Sequence, residues 1–125
     1  MTGRPLVVIV DDDESVRESL PDLLRELGFE AETFASAAEF LRSTANHRAD
    51  CLLLDIAMPG MSGLDLQAEL SRTGHAIPIV FISGQADPST CARVLAAGAV
   101  DCLAKPFNEA ALLRALRAAV QQGRK

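Results

Sequence analysis

Hydrophobic and polar positions along the chain follow two alternating patterns. Residues 6–10 (LVVIV), 51–55 (CLLLD) and 79–83 (IVFIS) are short runs, apolar almost throughout and rich in Leu, Val and Ile. Such runs suit strands covered on both faces, as in a parallel sheet. Residues 30–34 (EAETF) and 100–104 (VDCLA) mix polar and apolar side chains. That mixture suits strands at the edges of a sheet, where one side can meet water.

Between these runs the spacing becomes helical. Val16, Leu20, Leu23, Leu24 and Leu27 follow the i, i+4, i+7 pattern, and Gly28 is a suitable stop. Pro21 lies inside that stretch and removes one backbone donor, so a local kink is expected. Ser36 and Glu39 have capping-box spacing ahead of a second helix that turns Ala37, Phe40 and Leu41 inward. A third helix begins near Gly63 and carries Leu66 and Leu70. Asp87 and Pro88 supply an N-cap and a first-turn proline for a fourth, with Cys91, Val94 and Leu95 on one face. Asn108 caps a fifth, whose stripe is Leu112, Leu116, Ala119 and Val120.

A strand–helix unit repeated five times implies an α/β fold with helices on both faces of a parallel sheet. Right-handed crossovers, with the two mixed strands at the edges, give a doubly wound five-stranded sheet of order 2-1-3-4-5, the flavodoxin-like arrangement. The length, 125 residues, is that of one domain, read here as residues 1–125, with the polar tail at 121–125 as the start of a linker.

Composition narrows the picture. Of the residues 49% are hydrophobic, yet there are five Phe and no Trp or Tyr, so the core must be aliphatic. The net charge of −5, with no basic block, argues against nucleic-acid binding by this domain. No apolar run approaches the roughly 20 residues of a membrane span, and the N-terminus has no signal-peptide pattern. Cys51, Cys91 and Cys102 are odd in number, widely spaced and without a CxxC. They are expected to be small buried hydrophobes in a reducing compartment, with a disulfide or a zinc site as the lesser alternative.

The chemistry is concentrated where the first strand ends. Asp11, Asp12, Asp13 and Glu14 follow LVVIV directly, an unfavourable crowding of like charge. In open parallel sheets the site lies beyond the carboxyl ends of the strands, at the switch point between the first and third strands. Asp11 and Asp12, Asp55, Ser83 with Gly84, and Lys105 with Pro106 all fall at such ends. Three neighbouring carboxylates need an offsetting charge. An oxygen-only donor set suits Mg²⁺ and disfavours zinc. Asp13 and Glu14 serve instead to open the first helix, where negative charge opposes the positive end of its dipole. His47 and His75 fall in loops away from this end and are expected at the surface.

Together IVDDDESVR, LLLDIAMPGMSG, FISGQAD and GAVDCLAKPF resemble the receiver domain of two-component response regulators. The likeness runs from about Leu6 to Val120, and its style is closest to the FixJ-type branch. The resemblance implies a phosphorylation-dependent switch rather than an enzyme, limited to self-catalysed phosphotransfer and slow autodephosphorylation. Asp55 would accept the phosphoryl group from a sensor histidine kinase. Asp12 would bind Mg²⁺ directly, Asp11 through water or by support, and Ala57 through its backbone carbonyl. Lys105 would pair with the phosphoryl group and precede a cis Pro106, and Ser83 would be the switch hydroxyl. The fourth helix, fifth strand and fifth helix would carry the signal to an output domain or partner protein, with a phosphorylation-dependent homodimer as one form. The setting would be cytoplasmic, and the output of this branch is often DNA-binding, hence transcriptional.

One position departs from the pattern. The family places Tyr or Phe three residues before the Lys, and here that residue is Cys102. This puts the usual coupling of Ser83 to the output face in doubt and leaves the phosphorylation chemistry intact. Three rivals remain. A Mg²⁺-dependent aspartyl-phosphate phosphatase usually has a second acid two residues after its nucleophile, where this chain has Ala57. A flavin carrier would want a Ser/Thr/Gly-rich loop after the first strand. A non-phosphorylated receiver-like interaction module would lack an acid or the Lys, and none is missing.

Overall fold

The computed structural model describes residues 3–84 and 87–123. Five strands alternate with five helices: β1 (Leu6–Val10), α1 (Glu14–Glu26), β2 (Glu30–Phe34), α2 (Ala37–Arg42), β3 (Cys51–Asp55), α3 (Gly63–Arg72), β4 (Ile79–Ser83), α4 (Pro88–Ala96), β5 (Asp101–Ala104) and α5 (Glu109–Gly123). A 3₁₀ turn, Ala45–His47, precedes β3. All strand pairs are parallel, in the order β2-β1-β3-β4-β5. The two strands of mixed polarity are the edges, as their sequence predicts.

Successive strand residues point to opposite faces, so the central strands split their apolar side chains between two cores. Val7, Ile9, Leu53, Val80 and Ile82 face α1 and α5, packing on Leu20, Leu24, Leu112 and Leu116. Val8, Val10, Leu52, Leu54 and Phe81 face the other way, against Phe40, Leu66, Leu70 and Val94. Both faces being covered explains why β1, β3 and β4 are continuous apolar runs.

The helix signals hold with local amendments. Asp13 caps α1 by accepting from the Ser15 amide, and the helix runs on through Pro21 to a Gly28 with φ of 102°. Ser36 accepts from the Glu39 amide at 3.1 Å. A complete reciprocal capping box forms instead between Ser62 and Asp65, at the start of α3. Asp87 caps α4 and the Asn108 side chain accepts from the Ala111 amide. The expected inward face of α4 is narrower than its sequence spacing suggested. Val94 is its one buried residue, while Leu95 is 44% exposed. At an edge strand there is too little sheet to cover a full helical face. Gln121 to Gly123 continue α5, and the last two residues of the predicted linker, 124–125, lie outside the described residues. Among the described residues no helix is long and apolar enough to cross a membrane.

The cysteines depart from expectation. Cys51 is buried and free, but Cys91 on α4 and Cys102 on β5 are joined in a disulfide, with Cα atoms 5.7 Å apart. Both are only partly buried. Wide separation in sequence hides the pairing, because the crossover from α4 folds the chain back onto β4's outer neighbour.

Candidate phosphoryl-acceptor site

The carboxyl ends of β1, β3, β4 and β5 open into a cleft of about 380 Å³ lined by Asp12, Asp13, Asp55, Ala57, Ser83, Gly84 and Lys105. The site residues named from the sequence, Asp11, Asp12, Asp55, Ala57, Ser83 and Lys105, are all at this end of the sheet. Asp11 lies behind the lining: it is fully buried and acts as the anchor of the cleft. Its Oδ1 accepts from the Asp13 amide at 2.9 Å and its Oδ2 from Lys105 Nζ at 2.8 Å. Its backbone amide donates to Phe34 O at 3.1 Å and its carbonyl accepts from Arg17 Nη1 at 2.8 Å. A buried carboxylate requires such partners. Asp12, next along, is exposed to the cleft, and Asp13 is taken up in capping α1.

Asp55 ends β3 and is 6% exposed. Its carboxyl is pushed up to about 7, first by burial and then by the charge of Asp11; Lys105 and a hydrogen bond from the backbone of Ala57 work against this. Lys105 Nζ lies 3.9 Å from Asp55 Oδ2, so one ammonium serves two acids. Burial acts to lower the Lys105 pKa, but the hydrogen bond and charge of Asp11, with Asp55 and Asp13 adding, leave it above the ordinary lysine value. One cation thus offsets three acids incompletely.

The donor set fits a hard divalent cation. One carboxylate oxygen from each of Asp11, Asp12 and Asp55 can gather with all three within 4.8 Å of one another. Oxygen-only ligands with room for water suit Mg²⁺. Burial first and the charge of Asp11 second raise the Asp55 carboxyl, and a cation held between the acids would offset the second of these. His47 and His75, by contrast, meet at a tilt of 53° with ring centroids 5.3 Å apart, in the segments before β3 and β4 and hence at the opposite end of the sheet.

The backbone holds these groups in register. Ser83 pairs with Ala104 across β4 and β5, and the Lys105 amide donates to Ser83 O at 2.7 Å. That bond places the lysine beside the hydroxyl-bearing strand end. The Lys105–Pro106 peptide is cis. Ser83 is 3% exposed at the cleft wall.

Two supporting roles were not read from the sequence. Arg17 ties α1 to the Asp11 carbonyl. Gly63 opens α3 so close to β3 that a Cβ there would lie 2.5 Å from the Asp55 carbonyl oxygen and 3.1 Å from the Phe81 ring. The Ser62–Asp65 spacing was a readable signal for that helix start; the need for glycine was not, because it depends on where β3 lies.

Residues 7–117 match the family described as "Response regulator receiver domain". Nodulation protein W of Bradyrhizobium diazoefficiens is 46% identical over 122 residues, which are 98% of this chain and 54% of that protein. The chain therefore spans about half the length of that relative. The response regulator StyR superposes with a TM-score of 0.85 at 47% identity, over 98% of this chain and 62% of StyR. The structure titled FixJ-N superposes with a TM-score of 0.85 at 34% identity, over 96% of each chain, in keeping with the FixJ-type style of the motifs. With a matching profile over most of its length and this fold, the chain belongs to the receiver domains of the two-component response regulators.

Proposed function

We propose that this domain is a phosphorylation switch in which Asp55 accepts a phosphoryl group from the phosphohistidine of a sensor kinase. The observation that carries this reading is the placement of Asp55: a carboxylate at the floor of an open cleft, flanked by two further acids and faced by Lys105 at 3.9 Å. An Asp55 oxygen attacks phosphorus, the P–N bond to the kinase imidazole breaks, and the imidazole leaves as an aspartyl phosphate forms. Little covalent machinery is required, because such transfer is mainly positioning and charge neutralisation.

Asp11, Asp12, Asp55 and the Ala57 backbone carbonyl would hold Mg²⁺, which when bound neutralises charge on the phosphoryl oxygens and favours the ionised form of Asp55. Lys105 shifts its ammonium from Asp11 toward the new phosphoryl oxygens, a short move given 2.8 Å to one acid and 3.9 Å to the other. The Ser83 hydroxyl donates to another phosphoryl oxygen, drawing the end of β4 inward. The segment after it leads directly into α4, so the face of α4, β5 and α5 is the surface that changes. That change controls an output domain or partner protein, with a homodimer as one active form. Relatives whose names mark them as regulators of transcription, such as FixJ of Azorhizobium caulinodans, support a transcriptional output, and a cytoplasmic setting follows from that role. Catalysis is limited to the domain's own phosphotransfer and slow autodephosphorylation.

Incubation with acetyl phosphate and Mg²⁺ should add one base-labile phosphoryl group per chain. Asp55→Asn should add none; equal labelling of that variant and the parent would overturn the assignment.

A further inference from the structure

Two of the three cysteines take no part in the cleft, yet they join the two elements beside it. Cys102 on β5 pairs with Phe81, two residues before the Ala104–Ser83 pair, and Cys91 lies on α4 one turn ahead of Val94. Their Cα separation of 5.7 Å lies inside the range of roughly 4.4–6.8 Å over which a disulfide closes without moving the backbone. The attachment of α4 is otherwise thin. Val94 is its one buried residue, and Gln67 Nε2 donates to the Val94 carbonyl at 3.3 Å. A covalent bond from α4 to β5 is therefore a large part of what holds this helix to the sheet.

The remaining cysteine does not compete for redox chemistry. Cys51 is fully buried in β3, and burial pushes its thiol up to about 12, so thiolate is scarce. Cys91 and Cys102 are partly exposed and accessible to a small reagent. Persistent disulfides are rare in the reducing compartment where a signalling domain of this family would work, and those that do form there are mostly transient or redox-sensing.

We infer that Cys91 and Cys102 form a reversible redox site, a latch that pins α4 to β5 when oxidised by a low-molecular-weight disulfide and releases α4 when reduced. One cysteine thiolate attacks the reagent's S–S bond, forming a mixed disulfide and expelling one reagent thiolate. The second cysteine thiolate then attacks the protein sulfur, closing the Cys91–Cys102 bond and expelling the other. The two protein thiols lose two protons and two electrons, and the reagent is reduced to two thiols. Because α4 follows directly from the Ser83 strand end, the latch restrains the element that the phosphoryl switch moves. Its signalling consequence rests on the proposed phosphoacceptor function; the bond and its effect on α4 do not.

The test uses the 125-residue chain equilibrated with oxidised glutathione, or with dithiothreitol, then denatured in iodoacetamide and weighed. The oxidised sample should take up one alkyl group, at Cys51, and yield a linked peptide pair carrying Cys91 and Cys102; the reduced sample should take up three. Three alkyl groups after oxidation, or glutathione retained on Cys51, would overturn the site. Hydrogen exchange then reads the latch. Amides of residues 89–96 should exchange at least ~10-fold faster in the reduced chain, because local opening no longer has to work against the bond. Cys91→Ser and Cys102→Ser should exchange at the faster rate with or without reductant. Equal rates for the oxidised and reduced parent would refute the latch. Failure of acetyl phosphate to label Asp55 in either redox state would refute the phosphoacceptor reading, leaving both of these results in place.

Discussion

Replacing Asp55 by Asn should stabilise the metal-free domain, and the gain should grow with pH. Asp55 is 6% exposed and sits beside the fully buried Asp11, which together raise its carboxyl from an ordinary value of 3.8 to about 7. A raised carboxyl pKa means that the folded chain holds a proton the unfolded chain has already released. Stability from this group is therefore full below the unfolded pKa and falls as pH rises, reaching its full loss above the folded pKa. A shift of about three units sets an upper bound of roughly 4 kcal/mol at pH values above about 8. At about pH 5 the same linkage gives only roughly 1–2 kcal/mol. Asn keeps the shape and carries no charge, so its advantage over Asp should widen by roughly 1–3 kcal/mol between those conditions. For a chain of this size that is on the order of 3–10 °C in melting temperature. The assay is thermal and urea unfolding of both proteins in EDTA across this range. A difference independent of pH, or one favouring the parent at high pH, would show that burial of Asp55 beside Asp11 does not hold its carboxyl above the ordinary range.

Three further outcomes follow from the same geometry. Mg²⁺ at a hundredfold excess over its dissociation constant should stabilise the parent by about 2.7 kcal/mol; Asp12→Ala should lose most of this and of the calorimetric binding signal, and unchanged binding would remove Asp12 from the ligand set. Gly63→Ala should cost roughly 1–3 kcal/mol by overpacking, because the new methyl would meet the Asp55 carbonyl at 2.5 Å; a neutral result in urea unfolding would show that the start of α3 can slide. Lys105→Ala leaves the buried Asp11 carboxylate without its ammonium at 2.8 Å and should destabilise the neutral-pH fold by about 2–4 kcal/mol, while Lys105→Arg recovers part of the loss in the same measurement.

What the sequence determined by itself was whatever depends on local pattern. The three apolar runs of β1, β3 and β4 could only be strands covered on both faces, and the mixed runs of β2 and β5 only edges. From that order, the strand-end rule by itself brings Asp11, Asp12, Asp55, Ser83 and Lys105 together. The caps at Asp87 and Asn108 were equally readable, since a cap is satisfied within one turn of its own helix. Only the tertiary structure decided what each acid does. Asp11 and Asp12 are adjacent and identical in type, yet one is buried against Lys105 and the other faces the cleft, because successive residues at a strand end point to opposite sides. The need for glycine at position 63 arises from the closeness of β3, and the exposure of Leu95 from how little sheet lies beneath α4. The joining of Cys91 to Cys102 is of the same kind. Spacing in sequence carries no record of the distance between a helix and the strand it packs on, and in each of these cases that distance set the outcome.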